Sequence, residues 1–175
     1  MRSRTFRPKA LLPAMIALVL ILSALPACVT VPVQTAIPPS PPSLDVQERA
    51  LLDAINLQRL GGGLAALMAD AQLTLIARER SAEMVSQNYF GHTGPQGDTR
   101  YLTLLAQDAV AYAIAGEILA FNCCWLPDSA AAAMSSFLSS PAHHELLMRP
   151  AFTRVGVGMG TGTDGRKIYT VVFTG

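Results

Sequence analysis

The sequence predicts an α+β domain in which helices come first and an antiparallel sheet comes last. Between residues 44 and 150, several separate runs carry apolar side chains at helical spacing. The last 22 residues instead carry two β-rich runs, "RVGVGMGTG" and "KIYTVVFTG", and the turn sequence "TDG" between them is typical of a hairpin. Helices and strands segregated in this way favour an α+β fold. We find no internal repeat.

The chain is long enough for one globular domain with some additional non-globular sequence. It has 175 residues, of which 51% are hydrophobic and 14% are charged. Residues 1–27 are typical of an export signal, with a basic start that lacks acidic residues, the apolar run "ALLPAMIALVLILSAL", and small residues after it. That apolar run is short for a permanent transmembrane helix.

The signal ends in "LPAC", with Leu25 three residues before Cys28. This pattern resembles a bacterial lipobox, in which the cysteine is diacylated and becomes the mature N-terminus. The alternative is an ordinary secretory signal cut near Ala24 or Ala27. Either cleavage exports the protein, so we expect an extracytoplasmic location, either secreted or anchored to the membrane through Cys28.

A proline-rich tether, residues 28–43, follows the signal. Its sequence "VTVPVQTAIPPSPPS" has no amphipathic period and predicts an extended segment. At about 3.1 Å per residue, its fifteen residues reach at most roughly 45 Å. The globular domain is then predicted over residues 44–175.

Charge excludes a nucleic-acid-binding function. Four of the thirteen basic residues and none of the twelve acidic residues lie in the signal, so the formal net charge of +1 becomes −3 after cleavage. A mildly acidic domain without a basic stripe has no electrostatic footprint for nucleic acid.

Two long helices are predicted at the start of the domain. The first covers about 45–60, is capped by Ser43 or Asp45, and ends at three glycines. The second is "AQLTLIARERSAEMVSQNYF", which should end at Gly91. We place its apolar residues on one side and its charged residues, including Arg80, elsewhere.

The second half of the domain contains shorter elements. "GHTGPQGDTR" predicts a loop and "RYLTLLAQDA" a short helix, whereas periodicity alone leaves "YAIAGEILAF" as either a strand or a buried turn leading to a helix. A further helix is expected after Asp128 as its cap. The last helix is "PAHHELLMRP", with Ser140 as N-cap and Pro141 at its first position, and it should stop at Pro150.

Three histidines are candidates for chemistry: His92, His143 and His144. A histidine in the first turn of a helix feels the positive end of the helix dipole, which favours its neutral form. His143 and His144 point about 100° apart around a helix, so only one of them can face a given cleft.

Several short motifs occur in a recognisable order. The first helix carries "NLQR", a Tyr-Phe-x-His segment spans the end of the second helix, and "AGEILA" and "SSPAHHELL" come later, before "RVGVGMG" and "YTVVF". The residues concerned are Asn56, Arg59, Tyr89, Phe90, His92, Gly116, Glu117, Ser140, Pro141 and His143.

This series resembles the bacterial secreted branch of the CAP superfamily, which holds the cysteine-rich secretory proteins, antigen 5 and the pathogenesis-related proteins, and is also called the SCP-like extracellular domain. The resemblance implies a three-layer α–β–α sandwich with a central antiparallel sheet. It also implies a shallow cleft that gathers His92, Glu117 and His143. Asn56, Arg59, Ser140 and Pro141 match structural positions of the family motifs. The chain departs from the family where Gly91, Ile118 and Phe137 replace serine, asparagine and tryptophan.

The cleft residues leave several kinds of chemistry open. Two histidines and a carboxylate are an adequate open site for zinc or another divalent ion, which would activate a water molecule. The alternative is a hydrogen-bonded cluster without metal that shapes the cleft. A serine nucleophile would have to be Ser139 or Ser140, and no Gly-x-Ser-x-Gly elbow occurs.

Cys123 and Cys124 are neighbours in a chain expected to be exported. We weigh a vicinal disulfide, two small buried side chains, and a bond to another molecule. With Phe121 and Trp125 alongside, this segment is a candidate apolar lip of the cleft.

The functional prediction is an exported, lipid-anchored domain that binds a lipid or another small ligand at the bacterial cell envelope. The alternatives are a metal-dependent or serine-type hydrolase acting on peptides or envelope material, and a non-catalytic adhesion or scaffold module. No cofactor is required by the first function, and the sequence predicts no oligomeric state.

Overall fold

A computed structural model describes residues 43–123 and 128–175. The signal, Cys28 and nearly all of the tether lie outside this range, as do Cys124 and Trp125. The described elements are α1 (Val46–Gly61), β1 (Met68–Ala69), α2 (Ala71–Ser86), α3 (Arg100–Gln107), β2 (Ala115–Asn122), α4 (Ser129–Ser139), α5 (Pro141–Leu147), β3 (Arg154–Thr161) and β4 (Lys167–Thr174). Among the described residues, no helix has both the length and the apolar character needed to cross a membrane.

Polar side chains set the starts of the helices. Asp45 caps α1 in a capping box with Glu48, Asp70 caps α2, and Asp128 caps α4. Ser140 caps α5, whose first residue is Pro141. The starts predicted for α1, α4 and α5 are therefore confirmed to within one residue.

The four described strands form one mixed sheet in the order β1-β3-β4-β2. β4 lies between β2 and β3 and is antiparallel to both, with eight residue pairs on each side. β1 joins the edge through two pairs, Met68 with Arg154 and Ala69 with Val155, and it runs parallel to β3. The predicted antiparallel sheet is right for the three long strands and wrong for this edge, because a two-residue strand has no alternating pattern to detect.

Helices cover both faces of the sheet. The largest apolar cluster joins α1, α4 and α5 to sheet residues such as Ile118, Val157 and Val171. On the opposite face, α2 and α3 pack around Val172, and Met84 of α2 packs on Leu119. The domain is therefore a three-layer α–β–α sandwich, as predicted.

Alternate glycines in β3 allow α2 to lie directly on the sheet. A Cβ atom on Gly156 would lie 2.0 Å from the carbonyl carbon of Leu73, and one on Gly158 would lie 2.2 Å from that of Ala77. Gly160 has the same relation to Ser81, at 2.7 Å from its carbonyl oxygen. The alternate glycines of "VGVGMG" are therefore needed for the close contact between the helix backbone and the strand backbone.

The ends of α2 and α5 differ from the prediction. α2 ends at Ser86 and not at Gly91, because Asn88 adopts a left-handed conformation with φ of 53° and Tyr89 N–H bonds back to the Met84 carbonyl at 3.1 Å. α5 ends at Leu147, before Pro150. The ambiguous segment is the strand β2, which pairs with β4 along its whole length.

Candidate functional site

The candidate site lies at β2, the edge strand of the described sheet, where Glu117 is buried. The Glu117 side chain has no solvent exposure. Its two oxygens have different partners: Oε1 accepts from Arg80 Nε at 3.0 Å, and Oε2 lies 2.8 Å from His92 Nδ1. The strand thus presents a carboxylate that is already paired on both oxygens.

His92 reaches Glu117 from the loop that follows α2. Half of the His92 side chain is exposed to solvent. Because an ionised carboxylate only accepts hydrogen bonds, Nδ1 is the donor in the contact with Glu117. In the neutral ring, Nε2 then carries the lone pair, and it makes no hydrogen bond with another described residue.

Arg80 is the site residue that the sequence analysis misplaced. It lies on the buried face of α2 with no side-chain exposure, and besides Glu117 it donates to Tyr89 Oη at 2.7 Å and to the Gly91 carbonyl at 2.7 Å. Burial disfavours its charge, but the charge and hydrogen bond of Glu117 outweigh that and raise the pKa of Arg80. The available signal was its spacing: Leu73, Ala77, Arg80 and Met84 form one helical stripe.

His143 lies in the first turn of α5 on the other side of β2. Its ring meets the ring of Phe137 edge-on, with centroids 5.6 Å apart and planes at 88°. Burial, and after it the charge of His92, lower the pKa of His143. The neutral state is the one expected from the sequence, but the cause is burial and a neighbouring histidine, where the sequence argument used the helix dipole.

One atom of His143 lacks a partner. Its Nδ1 is buried and makes no hydrogen bond in the described structure. A buried polar atom without a partner is costly, which makes it a position where a ligand or water would be favourable. His144 is partly buried as well.

The residues present do not fit the zinc site considered from the sequence. A catalytic zinc ion takes three protein ligands. Glu117 is occupied by Arg80 and His92, and Arg80 places a positive charge beside it. Within residues 43–123 and 128–175, no group of three or more His, Cys, Asp or Glu side chains is arranged to hold a metal ion.

The two candidate serines have other contacts. Ser140 Oγ accepts from the His143 backbone N–H at 3.5 Å as the cap of α5, and Ser139 Oγ donates to the Ser136 carbonyl at 3.0 Å. Neither contact pairs a serine hydroxyl with a histidine ring, which is the pairing that activates a serine nucleophile.

Asn56 and Arg59 hold the scaffold behind the site. Asn56 makes a two-way hydrogen bond with the backbone of Leu67. The buried Arg59 donates to four backbone carbonyls, those of Ala65, Leu147, Arg149 and Phe152, at 2.8 to 3.2 Å. These bonds fix the end of α5, and with it the helix that carries His143.

The three departures from the family motifs have different surroundings. Ile118 is fully buried in the core cluster on the α1 side of the sheet. Phe137 is also fully buried and forms the wall against His143. A Cβ on Gly91 would meet no atom within 4 Å, whereas one on the motif residue Gly116 would lie 2.9 Å from the Phe152 ring.

An exposed aromatic pair lies beside the site. Phe90, two residues before His92, and Phe121, at the end of β2, meet edge-on with centroids 5.9 Å apart, and they are 50% and 46% exposed. Phe121 points to the same face of β2 as Glu117, about 13 Å further along the strand. We call Phe90 and Phe121 the aromatic pair.

Cys123 follows β2 and is disulfide-bonded. Cys28 and Cys124 lie outside the described residues, so the vicinal pairing with Cys124 and the acylation of Cys28 stay predictions.

A cavity of about 270 Å³ opens elsewhere, at the starts of α1 and α2. It is lined by Ser43, Leu44, Arg49, Asp70 and Thr74, among others. None of His92, Glu117 and His143 lines it, so this cavity is distinct from the candidate site.

Comparison with known proteins identifies the same fold and family. Residues 52–174 match the Cysteine-rich secretory protein family, CAP. The chain is 26% identical over 136 residues to the uncharacterized protein YkwD of Bacillus subtilis. An extracellular protein of Bacillus anthracis that contains an SCP domain has a solved structure with a TM-score of 0.62 and 29% identity over 73% of this chain. An outer surface protein of Borrelia burgdorferi has the same fold, with a TM-score of 0.66 at 22% identity, over 75% of this chain and 95% of that protein.

The chain is shorter than two of these proteins. The region matched to the Bacillus subtilis protein is 78% of this chain but 50% of that protein, and the chain covers 40% of the Bacillus anthracis chain.

Proposed function

Because the chain belongs to the Cysteine-rich secretory protein (CAP) family, we propose that it is an exported envelope domain that binds a small amphipathic ligand, such as a lipid, at His92, Glu117 and His143. The single observation that carries this proposal is a pair of imidazole nitrogens without partners near the edge strand β2. His92 Nε2 has no protein partner among the described residues, and the buried His143 Nδ1 has none either.

The surroundings support a ligand with a polar end and an apolar body. The polar end would bond to the histidines, because both rings offer a nitrogen for a hydrogen bond. The apolar body would cover the half-exposed aromatic pair, of which Phe121 lies about 13 Å from Glu117 along β2. A ligand laid along an open strand edge requires no enclosed cavity.

Export and anchoring are proposed from the sequence and the relatives. Residues 1–27 have the pattern of a cleaved signal, and Cys28 stands where a lipobox cysteine is acylated. The Bacillus anthracis protein is described as extracellular and the Borrelia burgdorferi protein as an outer surface protein. Residues 28–43 would then tether the domain to a membrane face, with the domain itself at residues 44–175.

The hydrolase alternatives have weaker support in the contacts. A metal-dependent hydrolase needs a third ligand that the described residues do not supply. A serine hydrolase needs a hydroxyl next to a histidine ring, and the contacts of Ser139 and Ser140 are with backbone groups. An adhesion module would not need His92 or His143, so their substitution separates adhesion from ligand binding.

The binding proposal is tested on the full-length chain in detergent, with histidine side chains labelled with nitrogen-15 and 1-decanol as the probe. Three histidines give three sets of signals, which single substitutions assign. We expect decanol to shift the signals of His92 and His143 and to saturate at one equivalent. His92→Gln and His143→Gln should each weaken binding about tenfold, equivalent to one lost hydrogen bond to a polar end.

His144→Gln is the matched control, since His144 is the neighbour of His143 on the same helix and is not part of the proposed site. It should leave decanol affinity unchanged. Equal losses in all three variants, or no loss in any, would contradict the proposal. Anchoring is tested separately: a radiolabelled fatty acid should be incorporated into the exported chain and lost in Cys28→Ala.

A further inference from the structure

Arg80 connects the two halves of the candidate site. Its guanidinium is bonded to Glu117 on β2 and, through Tyr89 Oη and the Gly91 carbonyl, to the loop that carries His92. Each of these three hydrogen bonds uses a different nitrogen of the guanidinium. One buried side chain therefore fixes the carboxylate, the loop, and the distance between them.

The charges around Arg80 are paired before any ligand arrives. Arg80 forms an ion pair with Glu117, and its second carboxylate neighbour, Glu83, is paired with Arg100 at 3.0 Å. Because Glu117 already faces a cation, a positive charge on a ligand gains little from Glu117 and is repelled by Arg80.

The hydrogen-bond directions follow from that pairing. Glu117 accepts from Arg80 through Oε1 and from His92 Nδ1–H through Oε2, so His92 is held in the tautomer with a proton on Nδ1. In the neutral ring, Nε2 then has a lone pair and can only accept a hydrogen bond.

From this geometry we propose that Arg80 is a positioning residue that makes His92 a hydrogen-bond acceptor for a neutral ligand with an O–H or N–H group, and that the site rejects cations. This inference rests on the proposed function, because it specifies which polar end the same site binds.

Three probes with the same ten-carbon chain test the ligand chemistry. 1-Decanol has a neutral donor, 1-methoxydecane has no donor, and decylammonium has donors and a positive charge. We expect 1-decanol to bind the full-length chain about tenfold more tightly than either of the others, as one hydrogen bond or one close like charge would give. Equal binding of 1-decanol and 1-methoxydecane, or of 1-decanol and decylammonium, would overturn the inference.

Two substitutions separate the charge of Arg80 from its packing. Arg80→Lys and Arg80→Met both lose the fork of hydrogen bonds to Tyr89 and Gly91, but only Arg80→Lys keeps the positive charge. Decylammonium should therefore remain excluded in Arg80→Lys and bind about tenfold more tightly in Arg80→Met. If decylammonium binds to Arg80→Lys and Arg80→Met with the same affinity, the charge of Arg80 does not select the ligand.

The tautomer of His92 is read from its nitrogen-15 signals in the ligand-free chain, which requires no substitution of a buried residue. We expect a protonated Nδ1 and an unprotonated Nε2 at pH 8, and the opposite tautomer would overturn the role of Arg80 even if the Arg80 variants fail to fold. If none of the probes binds, the proposed function fails for this class of ligand, while the tautomer still decides the positioning role.

Discussion

The ring of Phe137 meets the ring of His143 edge-on at 5.6 Å, so α4 supplies the wall against which α5 holds its histidine. Phe137 is fully buried, and the last residue of α4, Ser139, is followed directly by the cap Ser140. The short connection between the two helices therefore determines how deeply His143 is buried.

This burial predicts a pH dependence of stability. The pKa of His143 is lowered by burial and then by the charge of His92, so the unfolded chain binds a proton at a higher pH than the folded chain. The stability that neutral His143 provides is complete above about pH 6.5, the ordinary histidine pKa, and is lost as the pH falls through the folded-state pKa. Urea unfolding at pH 7.5 and pH 5 should show a smaller decrease in His143→Gln than in the unsubstituted chain. His144→Gln should keep the full decrease, and a full decrease in both variants would contradict this assignment.

The backbones of β3 and α2 are in direct contact. A single methyl group added between them should therefore lower the free energy of unfolding substantially. Gly158→Ala would place Cβ 2.2 Å from backbone atoms of Ala77 and Arg78, which cannot move without displacing α2. We expect a loss of about 3 kcal/mol or more in the free energy of unfolding, at or above the upper end of ordinary overpacking.

Gly61→Ala is the matched control for this measurement. Gly61 is the last residue of α1, and a Cβ there would meet nothing within 4 Å. Its substitution should be neutral or stabilise the chain by up to about 1 kcal/mol. Similar losses for both variants would show that helix α2 does not rest on β3 as described.

Arg59 is a buried cation that donates its hydrogen bonds to backbone carbonyls, and its substitution should lower the free energy of unfolding. Its guanidinium donates to the carbonyls of Leu147 and Phe152, among others, and burial lowers its pKa. Arg59→Lys keeps the charge but cannot reach four carbonyls, so we expect a loss of about 2–3 kcal/mol from carbonyls left without donors. Arg49→Lys, on the exposed face of the same helix, should change the free energy of unfolding by less than about 0.5 kcal/mol. An equally small change in Arg59→Lys would show that these carbonyl contacts contribute little.

Zinc provides a test of the charge arrangement at Glu117. In the unsubstituted chain, Arg80 and His92 occupy the carboxylate, so calorimetric titration should show no one-to-one zinc binding at micromolar concentration that depends on Glu117. In Arg80→Met the positive charge is removed and Oε1 is freed, and zinc affinity should increase about tenfold or more. Micromolar zinc binding by the unsubstituted chain that disappears in Glu117→Gln would contradict the paired state described for Glu117.

Much of the fold follows from local sequence signals. The caps Asp45, Asp128 and Ser140 and the proline at the start of α5 specify helix starts through contacts a few residues away, and these starts were predicted correctly. β2 could not be assigned, because its continuously buried residues have no alternation to separate a strand from a helix. The parallel pairing of β1 depends on Arg154 and Val155, more than eighty residues away in sequence.

In the candidate site, too, the residues found through short motifs were predicted, whereas a contact between residues distant in sequence was not. His92, Glu117 and His143 were identified through motifs, and the structure places His92 on Glu117 and His143 within the electrostatic reach of His92. Arg80 was missed because a charged residue on an amphipathic helix is ordinarily assigned to the solvent side. Its place in the apolar stripe was visible, but its carboxylate partner lies 37 residues away.

The most direct test of the central claim is a measurement of intermolecular nuclear Overhauser effects between 1-decanol and the side-chain protons of the full-length chain. The account predicts contacts from the decanol chain to Phe121 and from its hydroxyl end to His92 and His143, all of which lie at the edge strand β2. Contacts confined to the cavity lined by Ser43, Leu44 and Asp70 would place the ligand at the starts of α1 and α2, and would contradict a binding site at His92, Glu117 and His143.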